Sequence, residues 1–278
     1  MRNILAIAGK DVRVYLTTWT SYILFAAFML ITAFFFTALV KQYLEVQTEA
    51  LMQQQPWMLD QLNLTDWVMG NILRNVAVFF LFLLPILTMR LLADERKGNT
   101  LELLMTSPVR PIEIVLGKYL AALIIMTIML ALTLVFPLLL QLYGKTGPSL
   151  GAPEMQAAAA AAAGSPLDWS TVGVGYLGMF LLGAAFVAVG LFASSVTESQ
   201  IVAVIIAFAI LLMFFVIGFA SRGNDSGWQS FFDYISITNH LEDFVRGIVK
   251  VSGVVYYLSF AFLSLFLTYR VVEAQRWR

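Results

Sequence analysis

The chain has 278 residues, of which 60% are hydrophobic and 12% are charged. A soluble domain carries about 25% charged residues, so this composition excludes a water-soluble globular enzyme. The 17 basic and 17 acidic residues balance to a net charge of zero, which does not indicate a nucleic-acid partner. With no cysteine and a single histidine, His240, the chain has little capacity for metal binding or acid–base catalysis. The composition therefore predicts an integral membrane protein.

Six stretches of the chain are apolar enough to cross a membrane as helices, since a span needs about 20 mostly apolar residues. The first stretch is longer than the roughly 7–15 residues of a signal-peptide core, so we expect it to remain as an anchor. We predict one all-α transmembrane domain over residues 1–278. The predicted spans are 19–40, 73–93, 117–143, 171–196, 200–220 and 251–270.

The lysines and arginines predict how these spans are oriented. If both termini are cytoplasmic, the inner segments hold 11 basic residues and the outer segments hold 6. The acidic residues have the opposite bias, with 7 inside and 10 outside. Because cytoplasmic loops are enriched in Lys and Arg, we expect both termini to lie inside.

Residues 1–18 precede the first span and have an amphipathic pattern. The predicted apolar face holds Ile4, Ala8, Val12, Tyr15, Leu16 and Trp19, and the opposite face holds Arg2, Lys10, Arg13 and Thr17. Such a helix is typical of the membrane interface, with its basic side toward the headgroups. An ordinary membrane-proximal anchor is an equally good interpretation of the pattern.

The segments predicted to lie outside differ in character. Residues 41–73 are polar and indicate a loop whose second half forms a short interfacial helix. The alanine tract 157–163 looks like a tolerated insertion without chemistry. Residues 221–251 are too apolar for a loop and too charged for a span, so we predict short re-entrant helices in the outer leaflet. Their candidate functional residues are His240, Glu242 and Arg246. A metal site at His240 is possible there, but local capping or pairing is the favoured interpretation.

The loop at 94–110 is the most informative segment, because nine of the 34 charged residues lie between positions 90 and 118. Gly98 interrupts the chain, and Asn99 with Glu102 has the spacing of a capping box. A short helix then ends at Pro108, since the residue before a proline avoids the α region. Pro111 is suited to begin the next helix. We expect this short, partly apolar helix to dock against a partner.

Two glycine motifs have weaker functional interpretations. Residues 173–178 match GxGxxG, but they open an apolar span, where small residues favour close helix packing. Residues 144–146 read Gly-Lys-Thr, but a phosphate-binding loop needs a glycine at position 139, which is Leu139. We therefore predict no nucleotide site in this chain. The spans also lack charge at their midplanes, which argues against ion-coupled transport, and Pro85 and Pro137 are expected to kink their spans.

The loop from Arg90 to Lys118 resembles the signature loop of ABC type-2 exporter permeases, and the gliding-motility-type subgroup is the most similar. The matching parts of the chain are Asp94-Glu-Arg, Gly98-Asn-Thr-Leu-Glu-Leu-Leu, Ser107-Pro and Glu113-Ile-Val-Leu-Gly-Lys, together with Leu181–Glu198 and His240–Tyr257. The resemblance implies a type V exporter-like fold and a homodimer of six-span subunits, each bound to a separate ABC ATPase subunit. It also implies a connecting helix at 1–18 and a re-entrant pair that closes the exit.

The same resemblance assigns ATPase coupling to the 94–110 loop. The residues concerned are Glu95, Arg96, Gly98, Thr100, Leu101, Glu102, Leu104, Met105 and Pro108. Glu95, Arg96 and Glu102 would make polar contacts with the ATPase. Leu101, Leu104 and Met105 would fill a groove of the ATPase. ATP and Mg²⁺ would bind to the ATPase, with no cofactor on this chain.

We therefore predict a non-enzymatic permease subunit that exports a lipid, a glycan or a polymer across the bacterial inner membrane, surrounded by membrane lipids. The alternatives are a non-transporting membrane scaffold and an ion-coupled secondary transporter.

Overall fold

The computed structural model describes residues 2–52, 65–98, 109–143, 167–220 and 234–275. Within these ranges the regular elements are helices, and no strand occurs. A π-helix, Thr65–Gly70, precedes α3. The α-helices in chain order are α1 Arg2–Thr17, α2 Trp19–Met52, α3 Asn71–Thr88, α4 Arg90–Lys97, α5 Pro111–Leu132, α6 Val135–Tyr143, α7 Trp169–Val196, α8 Gln200–Ala220, α9 Ile237–Val245 and α10 Val251–Gln275.

Six helical segments of the described chain are long and apolar enough to cross a membrane, and this number confirms the sequence prediction. The second segment combines the π-helix, α3 and α4, with a turn at Met89 between the two α-helices, and the third combines α5 and α6. We number them spans 1–6. Their bounds are Trp19–Ala50, Thr65–Lys97, Pro111–Leu142, Trp169–Val196, Gln200–Gly218 and Val251–Gln275.

The first helix of the membrane domain is longer than its predicted span. The sequence indicated a loop from residue 41, but α2 continues to Met52. Residues 41–52 contain no glycine or proline and are rich in good helix formers such as Lys, Gln, Leu, Glu and Ala. Polarity there marks where the apolar stretch ends, whereas the backbone has no reason to leave the helix. The predicted interfacial helix after residue 59 and the alanine tract lie largely or wholly outside the described residues.

The two prolines within spans affect the helices differently. Pro85 lies inside α3, which continues to Thr88. Pro137 lies just after a turn at residues 133–134 that separates α5 from α6. Because proline has no N–H, residue 137 cannot donate to the carbonyl of Thr133, and its ring crowds that carbonyl. The predicted kink therefore takes the form of a helix break in span 3.

Helix α7 is the centre of the bundle, and 78% of its apolar stretch is buried. It begins after Asp168, whose carboxylate accepts a hydrogen bond from the Ser170 N–H at 3.0 Å, as helix N-caps do. It packs against α3, α5, α8, α9 and α10. The predicted close packing at its glycines is confirmed at Gly178, where a Cβ would lie 2.4 Å from Cβ of Phe244. Gly173 has no such neighbour within 4 Å.

The outward faces of the bundle are apolar. In span 1 only 11% of the apolar stretch is buried, and in spans 5 and 6 the shares are 22% and 28%. Large side chains such as Leu30, Phe34 and Phe262 are at least 66% exposed. Since isolated soluble proteins rarely expose contiguous apolar surfaces of this extent, these faces suit a hydrocarbon surrounding.

The two ends of the bundle carry most of its described polar contacts. We call the end with Asp11, Glu95 and Lys118 the basal end, and the end with Arg74 and Glu242 the distal end. Successive spans alternate in direction between them. The side chain of Asn3 donates to Glu113 at 3.2 Å, and Gln275 lies against Arg96. The first and last described helices therefore reach the same basal end.

Candidate functional site

Helix α1 packs along the start of α5 at the basal end. Ala8 and Asp11 are its buried residues, and a Cβ on Gly117 of α5 would lie 2.9 Å from Cβ of Ile7. The predicted apolar face is only partly correct. Leu16 is 37% exposed, and Trp19, at the start of α2, is 77% exposed. The buried stripe instead follows the 3–4 residue spacing that leads from Ile7 and Ala8 to Asp11.

An ion cluster connects three helices beneath this contact. The ammonium of Lys118 on α5 lies 2.8 Å from Oε1 of Glu95 on α4 and 3.2 Å from Oδ2 of Asp11 on α1. The Lys118 side chain is 2% exposed, and the carboxylate side chains are 16% and 12% exposed. Lys10 approaches Glu95 from the surface at 3.7 Å. We call Asp11, Glu95 and Lys118 the basal triad.

A cavity of about 220 Å³ opens beside the basal triad. Its charged lining consists of three cations and three anions, which are Lys10, Arg90, Lys118, Asp11, Asp94 and Glu95. Because the charges balance, the cavity has no electrostatic preference for an anionic or a cationic ligand. Tyr15 closes one wall and donates its hydroxyl to the Leu87 carbonyl at 2.5 Å, and burial raises the pKa of this phenol.

Helix α4 is fastened to the central bundle as well as to α1 and α5. The Ser194 hydroxyl of α7 accepts from the N–H groups of Leu92 and Ala93 at 3.1 and 3.0 Å. It also donates to the Met89 carbonyl at 2.8 Å. On the next turn, Asp94 is hydrogen-bonded to Gln200. The orientation of α4 is therefore determined by side chains from several helices.

Arg96 adds a second contact to α7 and a contact to α10. Its guanidinium donates to the Ser195 carbonyl at 2.5 Å. With the Gln275 amide turned so that its oxygen faces the guanidinium, that oxygen accepts from Nη2 at 2.6 Å. Arg96 thus connects α4 to the end of α7 and to the last turn of α10.

The structure describes the helices on either side of the predicted coupling helix, but not that helix itself. Helix α4 ends at Lys97 with Gly98 as its C-cap residue, and α5 begins at Pro111, as predicted. The Glu113 carboxylate accepts from the Arg110 N–H at 3.1 Å, which completes the first turn of α5. The remaining predicted coupling residues lie outside the described part of the chain; they are Thr100, Leu101, Glu102, Leu104, Met105 and Pro108.

The structure thus places Glu95 and Arg96 among partners within the chain. Glu95 faces Lys118, and Arg96 faces Ser195 and Gln275. Their predicted contacts with an ATPase stay a prediction. The basal triad does join the two helices that bracket residues 99–108, since Glu95 belongs to α4 and Lys118 to α5.

The distal end brings Glu242 and Arg246 of the predicted outer site together with Arg74, a residue to which the sequence assigned no role. Arg74 of α3 donates to both carboxylate oxygens of Glu242, from Nε at 2.9 Å and from Nη2 at 2.7 Å. Arg246 reaches the same carboxylate at 3.2 Å. The Arg74 hydrogen bonds hold the pKa of Glu242 below its ordinary value, and Arg246 adds to this effect. This fork-to-fork pairing fixes α9 against α3.

His240 makes local contacts. Its Nε2 lies 3.0 Å from the Tyr234 carbonyl, and its ring centroid is 4.4 Å from that of Tyr256. In the described part of the chain, no group of three or more His, Asp or Glu side chains has a geometry suited to a metal ion. The local interpretation therefore accounts for the contacts of this histidine.

The sequence reasoning missed Asp11, Lys118 and Arg74 as site residues. A signal existed for the first two. Asp11 interrupts the buried stripe of α1, and Lys118 stands inside the apolar run Ile114–Leu123, where a cation needs a counter-charge. Arg74 had no comparable signal, because its partner Glu242 lies 168 positions away along the chain.

The six apolar helices and the two polar ends define a polytopic α-helical membrane protein. Residues 5–272 match the family described as ABC-2 family transporter protein. The chain therefore belongs to that family, which makes it the membrane-spanning permease component of an ABC transporter and implies an ABC ATPase subunit as its partner. A search of curated proteins gave no significant match.

Proposed function

We propose that this chain is the permease subunit of an ATP-driven exporter in a bacterial inner membrane, with the basal end in the cytoplasm. Two copies of the chain form the export path, and each copy binds one ATPase subunit. The gliding-motility-type permeases are the proposed subgroup. The cytoplasmic side follows from the excess of lysine and arginine in the segments at the basal end.

The observation that supports this proposal is the ion cluster that joins the two helices on either side of residues 99–108. These helices, α4 and α5, are bridged by the Glu95–Lys118 pair, and α1 joins the same cluster through Asp11. A connection that merely returned the chain to the membrane would need no buried ion pair at its base. Such an arrangement supports a docking segment whose movement is transmitted to the spans.

The proposed transmission begins when ATP brings the two ATPase subunits together. Leu101, Leu104 and Met105 occupy a groove of the ATPase, and Glu102 adds a polar contact. The displaced segment then pulls on α4 and α5, which continue into spans 2 and 3. Arg96 carries part of this movement to α7 and α10 through Ser195 and Gln275.

At the distal end, α9 and the residues before it are proposed to close the exit. Helix α9 buries Ile237, Leu241 and Phe244 against the bundle, and Arg74 holds its polar face. In span 4 the fully buried side chains are apolar or small. These surfaces suit a lipid, a lipid-linked glycan or a polymer as cargo rather than a small ion.

The test is reconstitution of the chain with an ABC ATPase subunit from the same genome, followed by measurement of complex formation and ATP hydrolysis. Leu101→Asp and Leu104→Asp together are expected to abolish binding of the ATPase and its stimulation. Charge reversal at Glu95 is a poorer choice, because a lysine there would face Lys118 inside the protein. The matched control neutralises an exposed pair at the same end, Arg270→Gln with Glu273→Gln, and is expected to behave as the wild type.

Three outcomes would contradict the proposal. Normal assembly and stimulation in the Leu101/Leu104 variant would show that the segment does not dock. Failure of the wild-type chain to bind any ATPase would favour a membrane scaffold, and solute uptake driven by a proton or sodium gradient without ATP would favour a secondary transporter.

A further inference from the structure

We infer that Lys118 is the positioning residue that couples ATP hydrolysis to the exit: through Glu95 and Asp11 it makes α4, α1 and span 3 move as one unit. This inference rests on the proposed function and adds to it a specific residue for the transmission step. Lys118 touches neither nucleotide nor cargo in this scheme. It acts through the two carboxylates.

The geometry of the basal triad supports a mechanical joint, by which we mean a contact that keeps three helices together when one of them moves. A single ammonium contacts carboxylates on two different helices, at 2.8 and 3.2 Å, while the lysine itself belongs to a third. Its side chain is 2% exposed, so the ammonium depends on these two carboxylates to balance its charge. An unpaired buried charge is strongly unfavourable. Displacement of α4 therefore requires α1 and α5 to follow.

The position of the triad in the chain is equally specific. Glu95 lies three residues before Gly98, where α4 ends, and Lys118 lies seven residues after Pro111, where α5 begins. The triad thus closes the base of the segment that is proposed to dock. Asp11 extends the joint to α1, which otherwise contacts the start of α5 through small and apolar residues such as Ile7 and Gly117.

Stability alone does not account for this cluster. A buried ion pair is often no more stable than apolar side chains of similar size, because removing the charges from water costs as much as their attraction returns. Ionic and apolar versions of the joint differ in directionality: charged contacts resist sliding to a new register, whereas apolar contacts permit it. A function in transmission predicts that the two versions have similar stability but different coupling.

The experiment uses the complete complex in proteoliposomes and a reporter at the distal end. The natural chain has no cysteine, so Thr238→Cys introduces a single thiol into this chain, in the first turn of α9. The rate of maleimide labelling of that thiol is measured with and without ATP plus orthovanadate. If the complex works as proposed, ATP changes this rate.

The decisive variant replaces the triad with apolar residues, Asp11→Leu with Glu95→Met and Lys118→Met, in the Thr238→Cys background. We expect the complex to assemble, to melt at or above the wild-type temperature and to hydrolyse ATP, but to lose the ATP-dependent change in labelling. The Arg270→Gln/Glu273→Gln control is expected to keep that change. A triad variant that hydrolyses ATP and keeps the full change in labelling would overturn the inference.

A second variant decides the case in which the apolar complex does not assemble. Glu95→Gln keeps an oxygen that Lys118 can bond, and Asp11 still balances the charge. We expect this variant to assemble and to lose most of the ATP-dependent change in labelling, and an unaltered change would overturn the inference. If the complex that carries only the reporter thiol assembles but its labelling rate does not change with ATP, both the proposed function and the role of Lys118 are wrong. If the wild-type complex shows the ATP-dependent change in labelling and the variants show the same change, the proposed function stands and the role of Lys118 is wrong.

Discussion

The two ends of the molecule both use ion pairs to hold helices together, but they do so at different depths. At the basal end the cation, Lys118, is 2% exposed and its carboxylate partners are 12% and 16% exposed. At the distal end Arg74 and Arg246 are 38% and 66% exposed, and the Glu242 carboxylate that they share is 25% exposed. Water therefore reaches the distal pairs and is largely excluded from the basal pairs.

This difference determines what each end does when one partner is lost. A half-exposed pair is screened, and its members can be solvated separately, so it contributes about 1 kcal/mol or less. A buried pair contributes little net stability when intact, but breaking it leaves an uncompensated charge. The distal contacts can therefore separate at little cost, whereas separating the basal triad is strongly unfavourable.

The largest effect is expected from Lys118→Met. Removing the ammonium leaves Asp11 and Glu95 together in a buried site, so we expect the free energy of unfolding to fall by about 3–5 kcal/mol. Denaturant titration of the chain in detergent micelles measures this. The apolar triad variant is the control, since it should recover most of the loss. A loss below about 1 kcal/mol, typical of exposed pairs, would remove the contrast between the two ends.

An intermediate effect is expected where α9 packs on α7. Gly178→Ala places a methyl group 2.4 Å from Cβ of Phe244, and this overpacking should lower the free energy of unfolding by about 1–3 kcal/mol. Gly173→Ala on the same helix is the control, because no atom lies within 4 Å of the added group. It should be neutral or stabilising, since alanine favours a helix by up to about 1 kcal/mol. Equal melting temperatures for the two variants would show that packing does not hold the distal end.

A smaller effect is expected from Arg74→Gln. Both hydrogen bonds to Glu242 are lost, but water and Arg246 can partly replace them, so we expect a loss of about 1 kcal/mol. The same titration measures this, with Lys250→Gln as a control that removes a more exposed cation paired with Asp243. A loss as large as that of Lys118→Met would mean that the distal pair is effectively buried, which would contradict its exposure in the structure.

The smallest effect is a dependence of stability on pH at the distal end. The hydrogen bonds from Arg74 hold the pKa of Glu242 below its ordinary value of 4.5. The folded state therefore favours the ionised carboxylate. The resulting stabilisation is fully present above the ordinary pKa and is lost as the pH falls through the lower, folded-state pKa. Melting curves of the wild type and Glu242→Gln should differ most near neutral pH and converge at acidic pH. A gap that widens on acidification would contradict this assignment.

Much of the fold follows from local patterns along the chain. Apolar stretches of span length predicted the six candidate membrane helices, Pro111 predicted the start of α5, and Gly98 predicted the end of α4. These features depend on a residue and its immediate neighbours. The end of α2 was missed because polarity was taken to end the helix, although Lys41 and the residues after it are good helix formers.

The site was less predictable. Glu95, Arg96 and Glu242 were identified as functional candidates, but the partners that orient them were not. Asp11 and Lys118 are 107 positions apart, and Arg74 and Glu242 are 168 positions apart. Nothing in the sequence states which cation meets which carboxylate, because each pairing depends on how complete helices pack.

By itself, the sequence determined that this protein has six candidate membrane spans and a charged loop between spans 2 and 3. Hydrophobicity and charge act through the solvent, and their effect can be summed along the chain. Only the tertiary structure decided that Glu95 turns inward to Lys118, that Asp11 joins them, and that Arg74 holds α9. The physical reason is that a charge removed from water must find its counter-charge in space, and distance in space is set by packing.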